Sequence, residues 1–401
     1  MRPAVPGTPL DEAEERLCSQ YGRAKLGWAV VELLLLIALL MALTLTGGAA
    51  AIAEWARSRA GLDEGPAGFA WLAAEAGHVF LYLAVIGAIA RLVVLPLQFV
   101  GSFLLERRFG LCRQSAAGWL LDWTLATLLY GALVVLFLTP LVLSIRWSHH
   151  WYWCFVLAPL WLILFFALRA AYYRWLYLPA LQLFYPVRYL RAESFFLPGI
   201  GRRLMPVYEV EVSHKTRRCN ATVILSGGTG SVLVTDTLID QFSDAEEKVV
   251  IAHEFGHLYD HLFLEARTAA GRAQALRKMG FLGGGWYGAA LLCIWIVQLL
   301  EAPLGIHVDD LAAFPLEVAL VLLVLHALAP LGHAESRIDE READEYALRI
   351  TGDVESYVAV MNKLRRINLE ESNPGLIDRW LYGTHPTYLE RLKTAGVRGD
   401  D

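Results

Sequence analysis

Charge is scarce in this chain. Only 19% of its 401 residues are Asp, Glu, Lys or Arg, against about 25% in an ordinary soluble domain. The charge that is present has no basic surplus: 35 Lys and Arg face 40 Asp and Glu, a formal net charge of −5. That balance excludes the electrostatic footprint of a nucleic-acid binder, so no nucleic-acid partner is expected. Cysteine is sparse too. Cys18, Cys112, Cys154, Cys219 and Cys293 lie far apart, form no C-x-x-C, and are odd in number. A disulfide framework and a cysteine-zinc site are thereby excluded, and the thiols read as free in a reducing or lipid setting. Internal repeats and low-complexity tracts are lacking as well.

Apolar residues are abundant. They make up 56% of the chain, the mean hydropathy is +0.43, and they are clustered. Leu26 to Thr46 is a 21-residue run with Glu32 as its one charge. His78 to Val100 is interrupted by Arg91, and Leu120 to Ser144 by Asp122 near its start. Trp151 to Leu168 and Phe281 to Leu300 are uncharged, and Leu311 to Leu331 carries Glu317. About 20 apolar residues cross a bilayer as a helix, so these are six expected spans. The aromatic-rich stretch after Leu168 offers a seventh, tilted or interfacial, as the alternative. The first run starts too far in, and is too long, for a cleavable signal peptide.

Between 185 and 280 charges return and the pattern alternates. Val207–Val212, Thr222–Leu225 and Ser231–Asp236 read as short strands, with Gly227, Gly228 and Gly230 turning between the last two. Ser243 with Glu246 three residues on is a capping box, and V-V-I-A-H-E-F-G-H-L follows at helical spacing. Residues 334–401 are again charged and helical in pattern. The expected layout is a membrane region of four spans over 1–184, a catalytic insert over 185–280, two spans over 281–333, and a helical C-terminal segment over 334–401.

The chemistry gathers on the two helices that bracket the last two spans. His253-Glu254-Phe255-Gly256-His257 is H-E-x-x-H. Its histidines lie one turn apart, so both imidazoles reach one metal. Zinc suits such nitrogen ligands and keeps an open position in catalytic sites. Glu254 is placed to take a proton from the attacking water and pass it to the leaving amine. The competing reading is a surface helix with two ordinary histidines; the capping box and the apolar V-V-I-A approach favour an ordered, half-buried helix. A third ligand is sought in Ser336–Asp344, where Glu340 and Asp344 share a helical face. Glu340 can ligate zinc while Asp344 bonds the far nitrogen of a ligand histidine. Pattern alone leaves Glu335, Asp339 and Glu342 open as alternatives, and a solvated charged face is the ordinary reading of such a run.

H-E-F-G-H, then S-R-x-x-E-x-x-A-D beyond two hydrophobic spans, then His385-Pro386 with Arg391, resembles the type-1 CAAX prenyl protease family. Glu106–Leu111 is similar to that family's E-x-R-F-G-hydrophobic segment, Asn220-Ala221 to its N-A strand motif, and Val232–Leu238 to its strand ending in D-T-L. The likeness runs from about residue 90 to 393. It implies one Zn2+ per chain held by His253, His257 and Glu340, with Glu254 as catalytic acid/base and Asp344 behind the ligands. It implies His385 as the stabiliser of the tetrahedral oxyanion. Asn220 and Ala221 would bind substrate on an edge strand, and Arg391 would support substrate or site. The fold implied is mainly α: a polytopic helical membrane protein carrying a gluzincin-like zinc metallopeptidase domain with a small β-sheet. Two positions depart from the family pattern: Thr222 follows N-A where an aromatic is common, and His261 falls four residues, not five, after His257.

The leading expectation is an integral-membrane zinc endopeptidase cutting an extended peptide or protein substrate, lipidated or membrane-embedded. A membrane-protein quality-control protease shares the same chemistry. A non-proteolytic scaffold with structural zinc is the other class, and an intact Glu254 argues against it. His149-His150, flanked by tryptophans, reads as part of an interfacial aromatic belt. Glu32, Arg91, Glu317 and His326, in or near spans, face either a water-filled chamber or partners within the bundle. For topology, Arg2, Arg16, Arg23 and Lys25 precede the first span and Arg107, Arg108 and Arg113 follow the second. The 302–310 loop has no Lys or Arg. The positive-inside rule then puts both termini, the insert and the site on the cytoplasmic face, and the Ala-, Gly- and Arg-rich composition hints at a bacterial inner membrane.

Overall fold

A computed structural model describes residues 8–65, 67–148, 153–197, 201–226, 229–258, 310–381 and 383–397, with scattered positions between 292 and 307. Most of the expected Phe281–Leu300 span, His149-His150 and His261 lie outside the described residues.

The apolar runs form long helices. Helix α1 (Glu12–Leu45) begins well before its apolar stretch, because Asp11 and Glu14 form a capping box there. A short helix α2 (Gly48–Arg59) follows, too short at 12 residues to cross a bilayer. Helix α3 (Gly68–Gln98) runs on through a π-turn to Arg108. Helix α4 spans Ala116–Ser148 and α5 Trp153–Ala171. The stretch after Leu168 is no separate helix: α5 continues through Tyr172–Leu176 to Gln182. Among the described residues, four helical segments, Glu12–Leu45, Gly68–Arg108, Ala116–Ser144 and Leu311–Thr351, are long and apolar enough to cross a membrane.

Polar groups inside this bundle pair with one another. Gln98 Nε2 donates to Glu32 Oε1 at 2.5 Å, and Trp123 Nε1 donates to Gln98 Oε1 at 2.7 Å. These two bonds tie α1, α3 and α4 together. Arg91 donates to Thr127 Oγ1 at 2.9 Å and lies over the Trp123 ring. Ionisable side chains at this depth need such partners.

The insert is a four-stranded sheet in the order β1-β2-β4-β3. Its strands are β1 (Val187–Leu197), β2 (Gly201–Val210), β3 (Ala221–Ser226) and β4 (Thr229–Thr235). Strand β2 runs parallel to β4, while β1 and β3 are antiparallel neighbours on either side. Asp236 knots the ends of β2 and β4 together: its Oδ1 accepts from the N–H groups of Val212, Ser213 and Thr237 at 2.8–3.1 Å. That is what the D-T-L motif does here.

Helix α6 (Asp244–Leu258) starts on the expected capping box, with Ser243 N–H donating to Glu246 Oε2 at 2.7 Å. It packs Val249, Val250, Ile251 and Phe255 against Val207, Val232 and Val234 of the sheet and Tyr357 and Val360 of α8 (Val354–Asn368). Phe255 is fully buried, and burying such a side chain contributes about 1.5–3 kcal/mol. Helix α7 (Phe314–Thr351) is one unbroken rod of 38 residues through Pro330. The last apolar span and the acidic motif after it therefore belong to a single helix. A short helix α9 (Tyr388–Thr394) closes the chain's described part, capped by Thr387 and Glu390.

Candidate active site

The site is built where α6 crosses α7. Gly256 sets their separation: a Cβ there would stand 2.7 Å from Ala343 Cα. Only a glycine allows backbones this close. The approach brings Glu340 and Asp344, which flank Ala343, under the two histidines.

Three side chains converge. His253 Nε2 and His257 Nε2 are 3.2 Å apart. Glu340 Oε2 is 3.4 Å from His253 Nε2, and Glu340 Oε1 is 3.3 Å from His257 Nε2. A tetrahedral ion with ligand bonds of ~2.0–2.1 Å separates its ligands by ~3.4 Å, so these atoms have the spacing of one face around a single ion. Two imidazole nitrogens facing each other cannot both keep a proton between them, and Glu340 Oε2 is buried without a hydrogen bond. Both features fit a shared cation, and the three residues lie close enough to form a metal site. Of the acidic residues left open by sequence, Glu340 and Asp344 are buried while Glu335, Asp339 and Glu342 are only partly so, and Glu340 is the one grouped with His253 and His257.

Behind this triangle, His253 Nδ1 lies 2.9 Å from Asp344 Oδ1. Asp344 is fully buried and is gripped bidentately by Arg391, whose Nε and Nη2 donate at 2.9 and 2.5 Å. Burial pushes the His253 pKa down, but the Asp344 and Glu340 carboxylates outweigh it and raise it to about 10. Arg391 is buried as well, and Asp344 holds its charge in place. The same carboxylate field that favours a proton on His253 also favours a divalent cation. Glu254 faces the cavity, and burial raises its carboxyl pKa above the ordinary range.

His385 comes from the loop before α9, with Nε2 3.4 Å from Glu340 Oε1. Two contacts steady that loop: Thr384 Oγ1 lies 3.0 Å from His385 Nδ1, and Arg337 Nη1 donates to the Gly383 carbonyl at 2.6 Å. Arg337 went unassigned from sequence, although its place three residues before Glu340 puts it on the same side of α7. Gly256 was passed over too; its signal is a glycine kept inside a helix at a cost of about 1 kcal/mol.

His253, Glu254, His257, Glu340, His385 and Arg391 line one cavity of about 970 Å³. Asn220, Ala221, Thr222 and Val223 form one wall, His253, Glu254, His257 and Glu340 the floor, and Tyr21, Lys25, Leu26 and Ala29 of α1 carry it toward the membrane helices. The segment from Glu106 to Leu111 pins this wall to the bundle. Glu106 accepts from Arg218 at 3.0 Å and from the Tyr21 hydroxyl, and the Leu111 carbonyl accepts from Arg217 N–H at 2.9 Å.

Comparison with known proteins bears on the whole chain. Residues 196–398 match the model of peptidase family M48, and residues 4–183 match the CAAX prenyl protease N-terminal domain, described as five membrane helices. An uncharacterized metalloprotease, YhfN, of Bacillus subtilis is 26% identical over 81% of this chain and 76% of its own. CAAX prenyl protease 1 of Saccharomyces cerevisiae is 23% identical over 78% of this chain and 70% of its own. The crystal structure of S. mikatae Ste24p shares the fold, with a TM-score of 0.71 at 19% identity over 98% of this chain and 91% of that one. With the M48 model covering half of its length and the prenyl-protease membrane domain preceding it, the chain belongs to peptidase family M48, among the integral-membrane metalloproteases of the type-1 CAAX prenyl protease family.

Proposed function

We propose that this metalloprotease is a zinc endopeptidase that cuts extended peptides of membrane-associated proteins at the cytoplasmic face of a bacterial inner membrane. The triangle of His253 Nε2, His257 Nε2 and Glu340 oxygens, at 3.2–3.4 Å, carries the reading. These residues would hold the ion, whose bound form supplies Lewis-acid polarisation and makes water acidic enough to ionise near neutral pH. The chain's own groups do the rest. Glu254 accepts the proton of the attacking water and delivers it to the leaving amine. His385, whose Nε2 lies 3.4 Å from Glu340 Oε1, donates a hydrogen bond to the oxyanion that develops at the scissile carbonyl. Asp344 fixes the tautomer and tilt of His253, and Arg391 in turn fixes Asp344, which makes Arg391 a positioning residue.

The substrate enters as a strand. Strand β3 is the sheet's edge and forms one cavity wall, so an extended peptide can add to it by backbone hydrogen bonds, with Asn220 and Ala221 at the start of the contact. Contact of the cavity with α1 supports delivery from the membrane side. CAAX prenyl proteases are named among the relatives, and a C-terminal lipidated peptide is one substrate of this kind; the bacterial relative YhfN and the composition favour unprenylated ones. A peptidase assay with chelation and zinc re-addition tests the reading. Turnover should vanish with chelator and return with zinc, and turnover that ignores chelation would sink it. Mass spectrometry of membrane peptides that accumulate with Glu254→Gln identifies the substrates.

A further inference from the structure

In an antiparallel edge strand, alternate residues turn both backbone groups outward. Asn220 turns inward: its carbonyl accepts from Thr235 N–H at 3.0 Å, and its N–H donates to Thr235 Oγ1 at 3.0 Å. Its neighbours Cys219 and Ala221, and then Val223, therefore direct N–H and C=O to the open side. At Cys219 both groups are already taken. Cys219 N–H donates to Asn368 Oδ1 at 3.0 Å, and Asn368 Nδ2 donates to the Cys219 carbonyl at 3.0 Å. One side-chain amide thus imitates one residue of an added strand.

The amide is held firmly. Arg218 Nη1 donates to the main-chain carbonyl of Asn368 at 3.1 Å. Helix α8 ends there on Leu369, which at φ 57° is the one non-glycine among the described residues in the left-handed region. That conformation is unfavourable for leucine and persists where surrounding contacts impose it; Glu370 N–H bonding the Arg365 carbonyl at 2.9 Å is one such contact. Asn368 and Leu369 line the same cavity as Ala221 and Val223. Among the described residues, no backbone group hydrogen-bonds to the outer side of Ala221 or Val223.

We propose that Asn368 determines the register and length of the bound substrate. It closes the β3 edge at Cys219, so a peptide pairs at Ala221 and Val223 and gains nothing by reaching further. This rests on the reading that substrate pairs with β3. Two peptide series test both together: one lengthened stepwise on either side of the scissile bond, and one with single amides replaced by esters. In the wild type, esters at the pairing positions should lower kcat/KM, and lengthening on one side should stop helping once the Ala221 pair is filled. Asn368→Ala frees the Cys219 pair, so two further residues on that side should raise kcat/KM about tenfold, as two added hydrogen bonds allow, with new cleavage positions visible by mass. Asn368→Asp, which keeps the acceptor for Cys219 N–H and loses the donor, should show a smaller gain. Both variants keep the main-chain carbonyl that holds Arg218, and a melting temperature and metal content equal to the wild type's check their folding. Ester effects with an unchanged length profile in both variants would overturn the role of Asn368 while leaving strand pairing intact. A flat ester series would overturn strand pairing itself, and this inference with it.

Discussion

His253, His257 and Glu340 each supply one corner of the same triangle, so removing any one leaves two ligands, which hold zinc poorly. His253→Ala, His257→Ala and Glu340→Ala should each strip the metal, whereas Glu335→Ala and Glu342→Ala should retain it; elemental analysis of purified protein decides. Metal loss in Glu342→Ala, with Glu340→Ala still loaded, would move the third ligand. Asp344→Asn should keep the site but weaken metal affinity about 10–100-fold, the usual effect of losing a partner behind a ligand, as read by chelator competition. At this scale the sequence was informative where the chemistry is local. H-E-x-x-H is legible because residues four apart meet on any helix. The third ligand was not, because Glu335, Asp339, Glu340 and Glu342 differ only in which of them α6 covers, and that depends on a crossing 80-odd residues away in the chain.

That crossing is the element on which the site depends. Gly256 lets α6 approach the backbone of α7 at Ala343. Gly256→Ala forces a methyl into a 2.7 Å gap against backbone, an overpacking worth about 1–3 kcal/mol. It should lower thermal stability and weaken zinc binding together, because the same displacement lifts Glu340 away from the histidines. Stability and chelator-competition curves matching the wild type would contradict the close approach. The elements themselves were largely legible: apolar length gave α1, α3, α4 and α5, alternation gave β2 to β4, and the Ser243 capping box gave the start of α6. Strand β1 was missed, since R-Y-L-R-A-E-S-F-F-L lacks clean alternation and carries a register shift between Tyr189 and Arg191. The acidic motif was read as separate from the last span because charge returns after Leu331, yet a helix needs no apolar sequence to continue, and α7 runs through.

For the whole molecule, membrane helices and catalytic insert act as one device: the cavity reaches from the metal triangle to Tyr21 and Lys25 on α1, and the Glu106–Arg218 pair fixes the insert to the bundle. Glu106→Ala should therefore reduce stability and turnover while leaving the metal triangle's own residues untouched, and added zinc should not restore the wild-type melting temperature; full recovery with zinc would show that the pair does not anchor the wall. The proposed orientation, with the site on the cytoplasmic face, rests on the basic residues around the first two spans. A reporter active only in the cytoplasm should light up when fused after Asp401 and stay dark in the 302–310 loop, and the reverse pattern would move the site to the other face. The central claim, that this is a zinc peptidase with Glu254 as its base, is tested most directly by measuring zinc content and peptide turnover on the same preparations of wild type and Glu254→Gln. One zinc per chain in both, with turnover reduced by at least about 10²-fold in the variant, is the result predicted from loss of a general base. Wild-type turnover by Glu254→Gln at full zinc occupancy would contradict it.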